Sequence, residues 1–293
     1  GAVNTNYNPD PGAGQLFARL PAPSVADPLT AIASAVAAAH ARGVTAVFEP
    51  HAMDVRHVAM YRRLRDDGRL RMRVAAVPEL QRITRANDPR KTPSELLATL
   101  EAAREAVDLS DPWLRVFGVC VSAHGGTPNT GSMPHAHPYR DPIGAMTTGT
   151  WALDREAVVG AVRFCDSAGL RFNACTVGTA EIDLLLEAID EVGADATGWI
   201  VQHGILMRPD QVDRVARHRM VVTFCAGFTP GLGPVFRERF DDDVVEHLNP
   251  VRAWLDAGIP VSAATDWGPT DPFAQMRLAQ DLHGLTPTET FRT

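Results

Sequence analysis

The sequence predicts an α/β protein built as a (β/α)8 TIM-type barrel that lacks the first strand in this chain. Three observations support this prediction. Seven short apolar segments alternate with helical segments over about 250 residues, and such alternation implies parallel strands with right-handed crossovers. Polar, chemically capable residues recur where the strands end, and a barrel gathers those ends at one mouth. An open, doubly wound sheet would spread them along a line, and no Gly-x-Gly-x-x-Gly segment follows a strand to suggest a dinucleotide site.

The first half of the chain shows this alternation from residue 27 onwards. Asp27-Pro28 is a typical helix start, and Gly43 closes the Ala-rich segment that follows it. A capping box, Thr92-Pro93-Ser94-Glu95, opens a later helix. The apolar and β-branched runs between the helices predict strands. The predicted strands cover 44–49, 71–77 and 114–122, and the predicted helices cover 28–42, 54–68 and 93–107.

The second half continues the pattern after a long loop, 123–150, that is rich in Gly, Pro, Thr and His. Residues 1–26 lack periodicity and are interpreted as a connector, and 27–293 as the barrel domain, incomplete at both ends. The chain begins without Met, and only four residues follow the capping box at 286–289, too few for a helix, so we expect a fragment of a longer protein. The predicted strands are 170–176, 199–203, 220–225 and 259–265, and helices begin at Asp154, Thr179, Pro209, Pro250 and Pro272.

Composition narrows the functional class. The net charge of -7 is modest, and no basic stripe indicates nucleic-acid binding. No apolar run reaches the roughly 18 residues that suggest a membrane span, and the first residues do not form a secretory signal. The four cysteines are scattered without C-x-x-C spacing, which is typical of reduced thiols in a cytoplasmic protein.

The strongest candidate residues are His203 and Asp266. His203 ends the apolar run Trp199-Ile200-Val201-Gln202, and Asp266 ends the run that contains Ala263 to Thr265. Histidine is the commonest metal-binding side chain, and a carboxylate at the end of an apolar strand needs a cation, a proton or a donor. The pair could therefore bind one divalent metal or act as acid and base. A hydrogen-bonded core histidine and a helix-capping aspartate are the structural alternatives.

Several segments in the same order resemble the amidohydrolase superfamily, and its YtcJ-like branch with the N-substituted formamide deformylases in particular. The segments are Gly169 to Gly178, Ile200 to His203 with Asp210 soon after, and Ala264-Thr265-Asp266. The resemblance implies a (β/α)8 barrel with a small flanking β-sandwich, absent from this fragment. It also implies one or two divalent metals that activate water for hydrolysis of amide-like bonds. Within it, His203 matches the metal-binding histidine of the sixth strand, and Asp266 the eighth-strand aspartate that binds metal and shuttles the proton.

The same resemblance places cysteines at two other metal positions. Cys120 stands at the fourth-strand position, which is usually Lys, and Cys175 at the fifth-strand histidine position, with Asn173 near it. The first-strand His-x-His is absent from this sequence. Because a thiolate can bind zinc, we include Cys175 with His203 and Asp266 as metal ligands, and we expect one zinc-type ion rather than two. A small apolar thiol within a strand is the alternative interpretation for both cysteines.

Further residues are predicted to contact substrate. His51 follows the strand 44–49, and the long loop contains His124 together with His135-Ala136-His137. Loops of this length are often lids, so this loop is interpreted as one that helps to select the substrate, with a solvated loop as the alternative. The substrate-binding candidates are His51, His124, His137, Trp267 and Cys225.

The sequence leaves three functional hypotheses. The first is a metal-dependent hydrolase of amide-like C–N bonds in small, partly apolar substrates. The second is a metal-free barrel enzyme, such as a lyase, hydratase or isomerase, that uses His203 and Asp266 as an acid–base pair. The third is a non-catalytic relative. In each case the expected partner is a small molecule, without nucleic acid or membrane, and the protein could form a homodimer.

Overall fold

A curved parallel sheet surrounded by helices forms the frame of the protein. The computed structural model describes Arg19 and residues 27–51, 53–81, 90–124, 126–266 and 268–293. Within these ranges the (β/α) barrel architecture predicted from the sequence is confirmed. The predicted connector 1–26 lies outside the described residues except for Arg19. The strands are β1 Ala46–Glu49, β2 Arg73–Ala76, β3 Leu114–Val116, β4 Gly118–Ser122, β5 Tyr139–Arg140, β6 Met146–Thr147, β7 Arg171–Cys175, β8 Ile200–Gln202, β9 Val221–Phe224 and β10 Val261–Ala263.

The helices follow the strands in alternation and pack on the outside of the sheet. No helix in the described ranges combines the length and the apolar character that crossing a membrane requires. The α-helices are α1 Pro28–His40, α2 Val55–Asp66, α3 Pro93–Val107, α4 Arg155–Ala168, α5 Thr179–Val192, α6 Pro209–Arg217, α7 Phe228–Arg239, α8 Asp242–Val245, α9 Val251–Asp256, α10 Pro272–His283 and α11 Pro287–Arg292.

Strand order follows chain order. β1 pairs with β2 and β2 with β3, while β4, β7, β8, β9 and β10 pair in that sequence, and all of these pairs are parallel. A parallel bridge from Glu79 to Cys120 joins the two groups of strands. In the described part of the chain, β1 and β10 are therefore the two edges of one curved sheet. The carboxyl ends of its strands lie on the same side, as in a barrel.

The single strand predicted for 114–122 is divided at Phe117. β3 pairs with β2, whereas β4 pairs with β7, and the carbonyl of Phe117 accepts a hydrogen bond from the Arg171 amide at 3.0 Å. The segment changes partner at this residue because the sheet curves there. A small apolar cluster consists of Val77, Cys120 and Cys175, with Phe48 and Phe117 packed against it. We call this cluster the apolar floor.

Helix α5 shows how the outer layer is held. Its apolar residues Ile182, Leu185, Leu186 and Ile189 recur at helical spacing and are almost fully buried in the main core. Burial of each such side chain stabilises the fold by about 1.5–3 kcal/mol relative to exposure. The helix ends at Gly193, whose φ of 71° is the left-handed conformation that glycine adopts without strain.

Three α-helices were not expected from the sequence, namely α7, α8 and α11. α7 contains Pro234 and two glycines, which disfavour a helix locally, but Phe228, Leu232 and Phe236 lie four residues apart and are all buried. Tertiary packing of this face overrides the local propensity. α11 forms after the capping box at Thr286, although the sequence interpretation judged the remaining residues too few for a helix.

The long loop 123–150 is a packed part of the fold where it is described. Met133 and Tyr139 are fully buried, and the Tyr139 hydroxyl donates to the Met133 carbonyl at 3.0 Å. These residues join an apolar cluster with Cys225 and Phe228 at the end of β9. The loop is therefore packed around Met133 and Tyr139, whereas 136–138 and 140–150 are exposed or half-buried, and its role in substrate selection stays a prediction.

Gly178 fixes this loop to the start of α5. A Cβ at Gly178 would lie 1.9 Å from the Pro134 carbonyl oxygen, a backbone atom that has to move to admit it. We expect Gly178→Ala to lower the free energy of unfolding by about 2–3 kcal/mol, because overpacking against backbone forces a local shift. Gly160→Ala is the control, since the α4 position is open; there the same change is expected to stabilise by up to about 1 kcal/mol. Urea unfolding measures both variants, and equal effects would show that the loop does not lie against Gly178.

Candidate active site

The carboxyl ends of the parallel strands bring polar and sulfur-containing side chains to one side of the sheet. Strands that are consecutive in the chain are neighbours in the sheet, so residues distant in sequence meet at this side. The ends supply His51 after β1, Glu79 after β2, Cys120 and Ser122 on β4, Asn173 and Cys175 on β7, His203 after β8, Cys225 after β9 and Asp266 after β10.

His203 and Asp266 meet at the mouth of this arrangement. Nε2 of His203 lies 3.6 Å from Oδ2 of Asp266, and their side chains are 11% and 31% exposed. Both residues have positive φ angles, 72° for His203 and 33° for Asp266, which are uncommon outside glycine. Strained backbone of this kind concentrates at functional sites, where the surrounding structure holds it. The two residues predicted as catalytic are thus brought together by the fold.

A chain of amide hydrogen bonds orients His203. The Nδ2 amide of Asn173 donates to the Pro50 carbonyl at 3.0 Å and to Oε1 of Gln202 at 2.7 Å. Because the carbonyl only accepts, the amide orientations of Asn173 and then of Gln202 are fixed. Nε2 of Gln202 faces Nε2 of His203 at 3.1 Å, so this histidine nitrogen is the acceptor and Nδ1 carries the hydrogen in the neutral ring. The single lone pair of Nε2 therefore accepts the hydrogen bond from Gln202, and Oδ2 of Asp266 lies 3.6 Å from the same nitrogen.

Burial sets the charge of this pair. Loss of solvent lowers the pKa of His203 to about 3, and the positive charge of His51 acts in the same direction. Burial also raises the pKa of Asp266, with His51 opposing that shift. A neutral His203 nitrogen and a carboxylate oxygen are both acceptors, so their convergence leaves room between them for a proton or a metal ion.

A second group of donors lies where β1, β2 and β4 end. His51, Glu79 and Cys120 each place a ligand atom within 4.8 Å of the other two, and no other trio of His, Cys, Asp or Glu in the described ranges meets this criterion. Nδ1 of His51 lies 3.2 Å from Oε1 of Glu79 and 3.3 Å from the Ser122 hydroxyl. Glu79 and Cys120 are 1% and 0% exposed. We call His51, Glu79 and Cys120 the inner trio.

The inner trio is unsuited to serine-type nucleophilic catalysis. A catalytic serine and the orienting carboxylate must contact opposite nitrogens of the histidine ring. Here Ser122 and Glu79 both face Nδ1 of His51. Burial opposes the charge of His51, but the Glu79 carboxylate, in contact at 3.2 Å, raises its pKa well above the ordinary value. The arrangement therefore favours a cation, either a proton or a metal ion, between His51 and Glu79.

Cys175 is placed differently from the sequence-based expectation of a metal ligand. It lies with Val77 and Cys120 in the apolar floor and is outside the inner trio. Burial raises the pKa of its thiol strongly, which favours the neutral form. Its assignment as a ligand shared with His203 and Asp266 stays a prediction.

The predicted substrate contacts have different surroundings. His124 is buried, and its pKa is lowered to about 3 by burial and then by the charge of His51. It therefore lies near enough to His51 to interact with it electrostatically. His137 is exposed, with its ring perpendicular to that of the buried His135, which contacts the Thr179 hydroxyl at 2.9 Å. The Cys225 thiol donates to the Thr265 carbonyl at 3.1 Å, beside Asp266. Trp267 lies outside the described residues.

Two site residues were missed by the sequence reasoning. Glu79 follows β2 after Val77-Pro78, and a carboxylate at a strand end was a usable signal. Gln202 immediately precedes His203, but its role depends on Asn173 and Pro50, which are far away in sequence. No local pattern indicates that contact.

Comparison with known proteins identifies the family of the chain and solved structures of similar fold. A family model described as "Amidohydrolase family" matches residues 10–282, whereas no curated protein matches. An uncharacterized metal-dependent hydrolase from Pyrococcus furiosus has a TM-score of 0.68 at 20% identity, over 90% of this chain and 52% of that chain. An uncharacterized metal-dependent hydrolase from Pyrococcus horikoshii OT3 has a TM-score of 0.66 at 17% identity, over 86% of this chain and 47% of that chain. A mutant of atrazine chlorohydrolase TrzN from Arthrobacter aurescens TC1, complexed with zinc and atraton, has a TM-score of 0.53 at 13% identity. The match covers 89% of this chain and 54% of that chain. The chain thus spans about half the length of these structures.

Proposed function

The chain belongs to the amidohydrolase family, and from this membership we propose that it is the barrel portion of a metal-dependent hydrolase. The proposed reaction is hydrolysis of an amide-like C–N bond in a small, partly apolar substrate. The observation that carries the proposal is the convergence of His203 and Asp266, two acceptors 3.6 Å apart at the ends of β8 and β10. Both are held in strained backbone conformations at the mouth of the sheet.

Asp266 is proposed as the proton shuttle. Its partly exposed carboxylate can take a proton from the attacking water and pass it to the leaving nitrogen. His203 is proposed as a metal ligand or as a donor on the oxyanion side. The ligand role is supported by the neutral ring, whose Nε2 would exchange its hydrogen bond from Gln202 for the metal.

The donor types at the strand ends fit a zinc-type ion. Imidazole, carboxylate and thiolate are all zinc ligands. His203 and Asp266 supply the first two, and the inner trio supplies all three. When bound, a divalent metal polarises the substrate carbonyl and lowers the pKa of water towards about 7. Asp266 then needs only moderate basicity to accept a proton at neutral pH.

The finer assignments rest on particular residues. Phe228, with its ring 5.2 Å from that of His203, supports an apolar side to the substrate pocket. The motifs around Asn173, His203 and Asp266 support placement in the YtcJ-like branch. A cytoplasmic setting is supported by four free cysteines, all of them buried. A homodimer is a further proposal.

Metal removal tests the proposed function. We expect the protein, loaded with zinc, to release amine from at least one member of a panel of small N-acyl and N-formyl arylalkylamines. Chelation should lower that rate by at least about 100-fold, because the metal supplies several kcal/mol of transition-state stabilisation. Added zinc should restore it. Amine release and bound metal are measured on the same samples.

Two outcomes contradict the proposal. A rate that survives complete metal removal would indicate the metal-free acid–base enzyme. Metal binding without turnover of any amide in the panel would indicate a non-catalytic relative or a different bond. Circular dichroism of the chelated sample is the control, because loss of structure would also abolish turnover.

A further inference from the structure

We propose that the inner trio of His51, Glu79 and Cys120 is a binding site for a zinc-type divalent metal ion. The inference rests on the proposed function and deepens it by naming residues that hold the metal. These residues come from the ends of β1, β2 and β4. The trio does not include His203 or Asp266, which meet at the ends of β8 and β10.

The geometry suits one small ion. Zinc bonds of about 2.0–2.3 Å in a tetrahedron place ligand atoms roughly 3.3–3.8 Å apart. Nδ1 of His51 and Oε1 of Glu79 are 3.2 Å apart. One ring nitrogen of His51, one carboxylate oxygen of Glu79 and the Cys120 sulfur lie within 4.8 Å of one another. Side-chain movements of about 1 Å would therefore bring the three donors to tetrahedral separations, with the fourth position left open.

The surroundings favour a cation at this point. The Glu79 carboxylate is 1% exposed, and an ionised carboxylate without water requires a positive partner. The thiol of Cys120 and the hydroxyl of Ser122 lie on the same side of His51, with 4.0 Å between sulfur and oxygen. Three protein ligands with a fourth position near a hydroxyl match the open coordination of catalytic zinc sites.

The metal would replace protons in the trio. The Cys120 thiol loses its proton on binding the ion, and that proton leaves to solvent. If the His51 ring is protonated beforehand, its Nδ1 proton leaves in the same way. Glu79 is already the acceptor in the pair with His51, so its ligand oxygen needs no rearrangement of charge. The bound ion thus takes the place of the positive charge that His51 supplies to Glu79.

Cobalt binding tests the site directly. Co²⁺ is added to the metal-free full chain, and its absorption is recorded in the visible range and the near ultraviolet. We expect tetrahedral cobalt bands and a thiolate-to-cobalt charge-transfer band at one ion per chain. Cys120→Ser should remove the charge-transfer band. Glu79→Gln, which is nearly isosteric, should weaken binding by more than the roughly 10- to 100-fold that loss of an outer-shell partner costs.

Matched cysteine variants locate the ion. Cys165→Ser, in the buried face of α4, carries the same substitution outside the site and should leave the spectrum unchanged. Cys175→Ser and Asp266→Asn should also leave the charge-transfer band in place. Circular dichroism of each variant shows whether the chain has folded, and Glu79→Gln keeps the test decisive if Cys120→Ser is unstable.

Three results would overturn the proposal. The charge-transfer band could survive in Cys120→Ser and vanish in Cys175→Ser, which would place the ion on β7. Glu79→Gln could bind cobalt as tightly as the unmodified chain. The unmodified chain could also bind no tetrahedral cobalt at all. The first two results contradict the metal site but leave the proposed function standing. After the third result, the chelation assay with amide substrates decides whether the proposed function holds.

Discussion

Asp266→Asn is expected to lower kcat for amide hydrolysis by about 10²- to 10⁴-fold, the range that a positioned proton-transfer group contributes. Asparagine keeps the size of the side chain but cannot accept the proton of the attacking water. The φ of 33° at this position is tolerated by Asn as well as by Asp, so the backbone should be retained. The substitution therefore isolates the chemistry from the fold.

The measurement is kcat and KM on the best amide of the panel, together with the unfolding midpoint. We expect the loss to fall mainly on kcat, because the carboxylate acts on the reacting water. Asp256→Asn is the control: Asp256 is 68% exposed in a 3.8 Å surface pair with Arg252, and such pairs contribute little. An unchanged kcat in Asp266→Asn would remove Asp266 from the proton-transfer role.

Glu181→Gln is expected to make the protein's stability less dependent on pH. Glu181 lies in the first turn of α5, fully buried, and its Oε2 accepts the amides of Val177 and Gly178 at 2.7 Å each. Burial raises its pKa from 4.5 to about 8, despite these two hydrogen bonds, which act in the opposite direction. The neutral acid is thus the favoured form inside the fold.

The sign of the effect follows from proton binding. Below pH 4.5, folded and unfolded chains both hold the Glu181 proton, and the stability contribution of the neutral acid is fully present. Between pH 4.5 and about 8 the unfolded chain loses this proton first, so stability falls as pH rises. At about 1.4 kcal/mol for each pKa unit, the total is several kcal/mol.

Urea unfolding at pH 5 and pH 8 measures this effect. We expect the difference in unfolding free energy between the two pH values to shrink by about 2–4 kcal/mol in Glu181→Gln. Part of the gain at pH 8 is lost, because the new amide nitrogen takes the place of Oε1, which has no hydrogen-bond partner in the described structure. Glu187→Gln, on the exposed face of the same helix, should leave the difference unchanged. Equal pH dependence in Glu181→Gln and the unmodified chain would show that Glu181 is ionised in the fold.

Much of the candidate site could be predicted because it sits at strand ends. His51, His203 and Asp266 were each identified from a strand that ends at or just before them. Cys120 was placed at a metal position by the resemblance to the amidohydrolase superfamily. The fold then brings these ends to one side of the sheet, as the alternation of strands and helices required. The pattern could not predict which of these residues lie close together in the folded protein. It paired Cys175 with His203 and Asp266, whereas the trio that the structure assembles uses His51, Glu79 and Cys120.

The packed loop and α7 show a second limit. The loop 123–150 was interpreted as a lid, with a solvated loop as the alternative, yet Met133 and Tyr139 are buried in a cluster with Phe228. Helix α7 was not predicted, because glycine and proline residues disfavour a helix locally. It is stabilised by its buried face. In both segments the contacts with distant residues outweigh local propensity.

The sequence by itself determined the order of strands and helices, the capping boxes and the residues at the strand ends. These depend on interactions between residues a few positions apart, which a periodic pattern records. Only the tertiary structure decided which strand-end residues share a centre, and which nitrogen of His203 accepts a hydrogen bond. The chain from Pro50 through Asn173 to Gln202 and His203 spans contacts 123 and 29 residues apart. Such contacts leave no local trace, because they depend on the curvature of the sheet that brings β1, β7 and β8 together.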